Sequence, residues 1–132
     1  ESGRFNDPHD LKMDSQGRIF VADRGNNRIQ IFDQDGELLD IWTQFGRPSG
    51  IWIDANDTIY VADGMSGEQW NTGWQRGIRI GDVESGYVTE FIPDYEIPNG
   101  SGIEFLASDA DGNIYAGQVG RQRFEKYVRV RP

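Results

Sequence analysis

Short runs of alternating or contiguous apolar residues, each closed by a cluster of Gly, Asp, Asn or Ser, set the pattern of this chain. Residues 10–14 and 18–22 read as two antiparallel strands around the turn Ser15-Gln16-Gly17. Residues 28–32 alternate, Asp33-Gln34-Asp35-Gly36 turns, and residues 37–42 supply a fourth strand, completing one blade-like sheet. The phrase at residues 8–23 returns at 48–63 and again at 103–118. Asp14, Asp54 and Asp109 fall in step, as do Ile19, Ile59 and Ile114, and then Phe20, Tyr60 and Tyr115. Self-similarity at roughly forty residues is the mark of a stack of four-stranded blades.

The second copy places strands at 51–54, 58–62, 77–80 and 87–92, with an enlarged connection over residues 64–76 between its second and third strands. The third places them at 103–108, 113–117 and 124–130, with no fourth. The expected fold is therefore all-β: a β-propeller segment of three blades, about 8–43, 48–93 and 102–131, forming a single unit. Phe5-Asn6-Asp7-Pro8-His9 reads like Phe45-Gly46-Arg47-Pro48-Ser49, the link that arrives from a preceding fourth strand. Either a C-terminal fragment of a larger propeller or a half-ring completed to six blades by a second copy, as a homodimer, accounts for both ends. A free-standing stack leaves open strand edges and is disfavoured.

Composition narrows the partners. A net charge of −9 over 132 residues repels phosphate backbones and anionic headgroups, so neither nucleic acid nor a membrane surface is expected to bind. No apolar run approaches the ~20 residues needed to span a bilayer. With no cysteine, thiolate metal sites, disulfides and cysteine nucleophiles are excluded together. No phosphate-binding glycine loop opening a helix and no serine nucleophile elbow is present.

In a propeller the first strand of each blade lines the central channel. The link into that strand and the link between strands two and three share one face. His9, Ser49 and Glu104 head the three inner strands and are expected to point to the channel mouth. Arg24 and the loop 64–76 belong to the same face, so a histidine, a carboxylate and an arginine can share a pocket for a small molecule or peptide. His9 and Glu104 are the candidate ligands of a divalent metal, zinc first and calcium second; the alternatives are a histidine that only hydrogen-bonds and a solvated rim carboxylate. Arg24 can clamp a carboxylate or simply pair with Asp23 or with a neighbouring blade. Trp70 and Trp74 can wall the pocket or clasp the long loop down, and with Arg47 and Arg76 they complete the candidate substrate- or partner-contact set. The recurring Asp14, Asp54 and Asp109 are read as turn residues and left outside the site.

The phrase Ala22-Asp23-Arg24-Gly25-Asn26-Asn27-Arg28-Ile29-Gln30-Ile31-Phe32, preceded by Pro8-His9, resembles an NHL repeat. Over essentially the whole chain, the sequence looks like the C-terminal half of the peptidyl-α-hydroxyglycine α-amidating lyase propeller. That resemblance implies a six-bladed ring that cleaves peptidyl-α-hydroxyglycine to peptide amide and glyoxylate, with zinc held by histidines at inner-strand heads and an arginine and a tyrosine nearby. It places His9 at a zinc-ligand position and Arg24 at the arginine position, and it leans toward an extracytoplasmic location. Glu104 departs from it, standing where the next histidine is expected. Two rivals remain: a non-catalytic propeller presenting its loop face to a protein or carbohydrate, and a sugar-lactone hydrolase-like propeller with a calcium site to which Asn99 and Glu104 contribute oxygen.

Overall fold

A computed structural model describes residues 3–96 and 101–130. Within them lie eleven strands in three antiparallel sheets. The first sheet holds β1 (Pro8–Met13), β2 (Ile19–Asp23), β3 (Arg28–Phe32) and β4 (Leu38–Trp42), in sequential order. The second holds β5 (Gly50–Ile53), β6 (Thr58–Asp63), β7 (Gly77–Asp82) and β8 (Val88–Pro93). The third holds β9 (Ile103–Ser108), β10 (Ile114–Gln118) and β11 (Arg123–Tyr127). Each sheet is a meander, so every connection is short except the one over residues 64–76. Among the described residues no helix is long and apolar enough to cross a membrane.

The turns form because the recurring aspartates hold them. Asp14 Oδ1 accepts the backbone N–H groups of Gln16 and Arg18, Asp54 Oδ1 those of Asn56 and Thr58, and Asp109 Oδ1 those of Asp111 and Asn113. One side chain thus replaces the missing ladder partners of each β1–β2-type hairpin. Tyr60 and Tyr115 donate their hydroxyls to the second oxygens of Asp54 and Asp109, which explains why the aromatic recurs beside the aspartate.

The middle sheet is buried on both sides. Along β6 the side chains alternate in direction. Ile59 and Val61 join Phe20, Ile29, Ile31, Trp42, Phe45 and Ile51 in one core, whereas Tyr60 and Ala62 join Ile78, Ile80, Ile103, Ile114 and Ala116 in a second. The sheets consequently pack face to face in chain order, with β1 against β5 and β5 against β9 along the inner edge. Trp42 stacks on Phe45 with ring centroids 5.7 Å apart and fills the wedge between the first two sheets.

A second recurring carboxylate ties each link to its blade. Asp23, fully buried, accepts the backbone N–H of Asn6 at 2.7 Å and bonds from Asn26, Arg28 and Gln30. Asp63, also fully buried, accepts the N–H of Arg47 at 3.1 Å and a bond from Arg79. The incoming chain is thereby fixed just before it turns into the inner strand. The third blade carries Gln118 at the corresponding place, and its carbonyl oxygen accepts from Arg121 and Arg123.

Candidate functional site at the heads of the inner strands

Two bulges aim the site. In the pairing of β1 with β2, Pro8 opposes Asp23 and Asp10 opposes Ala22, so His9 has no partner. In the pairing of β9 with β10, Gly117 opposes Phe105 and Gln118 opposes Ile103, so Glu104 is likewise the extra residue. A bulged residue leaves the pleat alternation and its side chain is re-aimed. Here both are turned toward each other across the fan. Ser49, at the same position in the middle blade, does not point to the channel mouth as expected. It is fully buried, and its hydroxyl lies 3.0 Å from the carbonyl oxygens of both Ala62 and Ile103, pinning the seam between the second and third sheets.

Glu104 is the hub. One carboxylate oxygen lies 3.1 Å from Arg24 Nη1 and 3.7 Å from His9 Nε2. Arg24, in a 3-10 turn over Arg24–Asn26, reaches Asp7 with its remaining donors, Nη2 at 2.8 Å and Nε at 2.9 Å. The arginine is held between a carboxylate of the link before β1 and one of the third sheet, and does not pair with Asp23, which bonds Arg28 instead. His9 donates from Nδ1 to the backbone oxygen of Ser49 at 2.6 Å, and its ring stacks on Phe105 with centroids 5.6 Å apart. That hydrogen bond fixes the tautomer of the neutral ring and turns Nε2 toward Glu104.

Arg47 and the long loop flank this cluster. Arg47 is 7% exposed, donates from Nη1 to Asn27 Oδ1 at 3.0 Å, and lies 4.7 Å from the Trp70 ring centroid. Asn27 adopts a left-handed conformation with φ of 54°, which Asn tolerates better than most residues, and this presents its side chain to Arg47. Arg79, paired with Asp63 at 3.1 Å, lies 5.1 Å from the Trp74 ring. Each tryptophan of the loop therefore covers an arginine, and both rings stay partly open to solvent. Arg76 turns away toward the carbonyl oxygen of Glu96. Burial, followed by the neighbouring Arg24 cation, pulls the Arg47 pKa below the ordinary arginine value, while Asp7 and Asp63 oppose this from farther off.

The zinc implied by the resemblance can be tested against these donors. Among the described residues no three His, Cys, Asp or Glu side chains converge on one point. His9 and Glu104 supply two, against the three protein ligands that catalytic zinc sites use. The nearer oxygen of Glu104 is already bonded to a guanidinium, so a divalent cation there would stand beside Arg24. These residues do not fit a metal centre on their own, and no chemical step is routed through one. Asn99, the oxygen donor considered for calcium, lies outside the described residues.

A cleft of about 800 Å³ opens elsewhere, between the turn ends of the second and third sheets, beside Asp54, Glu90, Asp109 and Arg129. None of the residues selected from sequence lines it, and its two aspartates are committed to their turns.

Comparison with known proteins agrees with this architecture. Residues 5–32 match the family description "NHL repeat". Human NHL repeat-containing protein 3 is 60% identical over 131 residues, a match covering 95% of this chain and 36% of that protein. The chain carries an NHL repeat. The NHL chain spans little more than a third of the curated relatives it matches at both high identity and full coverage. Peptidyl-glycine alpha-amidating monooxygenase B of Xenopus laevis is 32% identical over 132 residues, covering 89% of the NHL chain and 14% of the frog protein. Human E3 ubiquitin-protein ligase TRIM32 is 51% identical over 49 residues, 37% of the NHL chain and 7% of the ligase.

Sequence reasoning placed His9, Arg24 and Glu104 on one face of the NHL segment, and the structure brings them within bonding distance. It missed Asp7, Asn27 and Phe105. The Asn6-Asp7 and Asn26-Asn27 pairs were the available signals, since Asp and Asn tolerate the positive φ that Asp7 and Asn27 adopt. Nothing local marked Phe105 as the floor under His9.

Proposed function

We propose that this NHL segment binds a protein partner through the face built by Arg24, Arg47 and the 64–76 loop, and that it is not an amidating lyase. The observation that carries this reading is the Glu104 hub. Where a second histidine is expected, an acid neutralises the very arginine that lyase chemistry would need for substrate. Asp7 takes the rest of that guanidinium. A charge satisfied by two internal carboxylates is preorganised for scaffold rigidity rather than for polarising a substrate. The exposed tryptophan faces beside it are the residue type enriched at protein interfaces.

The test has two parts. Native mass spectrometry of the purified chain, with an assay for glyoxylate release from a peptidyl-α-hydroxyglycine, is expected to give no stoichiometric zinc and no turnover. Zinc at one per chain or per dimer together with turnover would overturn the reading in favour of the lyase. In cells, a photo-crosslinking residue at Gln69 or Thr72 in the full-length protein is expected to trap a defined protein that the same probe at Asp35, on the opposite turns, does not trap. The trapped protein must then bind the purified chain. Equal capture at both positions would sink the assignment of this face.

A further inference from the structure

Buried arginine needs an anion or a full set of acceptors, because removing a cation from water costs several kcal/mol unless it is paired. Arg79, 7% exposed, has its carboxylate in Asp63. Arg47 is buried to the same degree, yet among the described residues it forms no ion pair. Its Nη1 bonds the neutral amide of Asn27, and its Nε is sealed from solvent with no acceptor. The carboxylates that act on it electrostatically, Asp7 and Asp63, have gone to Arg24 and to Arg79. One broad face of the guanidinium is covered by Trp70, whose own ring is 42% exposed. The protein thus holds a planar, five-donor fork in a partly dry slot and, among the described residues, leaves Nη2 without a bond.

We propose that Arg47 anchors a carboxylate of the partner, from either a chain terminus or an acidic side chain, with Trp70 as the wall of the slot. This rests on the protein-binding reading and specifies its chemistry. A planar monoanion matches the guanidinium fork, and desolvation beneath the indole strengthens the contact. A phosphate dianion suits the slot less well, because the negative charges of Asp7 and Asp63 already act on Arg47.

Four small probes test the proposal by tryptophan fluorescence and by the Arg47 Nε–H signal in NMR spectra of the purified chain. They are N-acetylglycylglycine, N-acetylglutamic acid α-amide, N-acetylglycylglycinamide and inorganic phosphate. At least one of the two carboxylates is expected to bind and to move the Arg47 signal, and the stronger one identifies the source. Arg47→Gln should weaken that binding at least about tenfold, and Arg47→Lys should recover little of it, since lysine keeps the charge but loses the fork. Should Arg47→Gln fail to fold by circular dichroism, Trp70→Leu, at a half-exposed position, serves in its place with the same expectation. Equal binding of the neutral amide, preference for phosphate, no binding at all, or undiminished binding by the variants would each overturn the proposal. The outcomes separate the two ideas: loop crosslinks without carboxylate binding leave the protein-binding face standing and remove the anchor, whereas zinc with lyase turnover removes the former whatever Arg47 binds.

Discussion

At the scale of single residues, this chain spends its acids on its own backbone. Asp14, Asp54 and Asp109 close hairpins, while Asp23 and Asp63 fasten the links that lead into inner strands. Asp23 shows how the balance is reached. Burial pushes its carboxyl pKa up, but bonds from Asn26, the Asn6 backbone, Arg28 and Gln30 together outweigh it, so the folded value lies below the ordinary 3.8. A carboxyl depressed in the folded state stabilises the fold above its unfolded pKa and loses that contribution as pH falls through the folded one. Thermal unfolding followed from pH 6 downward should therefore lose stability progressively below about pH 4. Asp23→Asn should start from a lower melting temperature at pH 6 and show a shallower acid decline; identical pH profiles for the two proteins would contradict this role. The recurrence of these aspartates was legible in the sequence because a turn carboxylate acts on residues two and four positions away, well within one phrase.

At the scale of elements, strand existence was readable and strand ends were not. The alternation of 28–32 gives β3 as observed, whereas β8 starts one residue later than its pattern suggests and β11 stops at Tyr127 although apolar residues continue to Val130. An end is set by where cross-strand partners run out, which a single strand's residues do not encode. The bulges at His9 and Glu104 were invisible for the same reason. The inner strands also approach one another more closely than a side chain permits. A Cβ on Gly50 would stand 2.5 Å from the backbone oxygen of Glu104, and backbone cannot swing aside as a flexible side chain can. Gly50→Ala should therefore destabilise the fold by about 1–3 kcal/mol in urea unfolding, the range for overpacked sites. It should also disturb the Glu104 hub, seen as an altered NMR signal at Arg24; a neutral substitution would mean that β5 and β9 have slack.

At the scale of the whole molecule, each sheet touches its chain neighbours, as in repeat proteins whose stability is approximately a sum of unit and interface contributions. Glu104 breaks that rule by joining the third sheet to the first through Arg24 and His9. Reading along the chain puts the three on one face but does not reveal the bond itself, since Arg24 and Glu104 are separated by 80 residues and the register depends on two bulges. Glu104→Gln keeps the shape and removes the charge. Amide hydrogen exchange in β9 and β10 should then quicken relative to β2 and β3, with the first sheet keeping most of its protection. A uniform change across all three sheets, or none, would show that the bridge contributes nothing to their coupling.

That contact also acts as a protractor. Three leaves stacked face to face in chain order still leave the angle between first and third to the sum of two interfaces, but a tie from the first leaf to the third fixes the arc they subtend. Pulled from its two ends, such a chain would resist as a braced truss until the tie gives way, instead of peeling leaf by leaf.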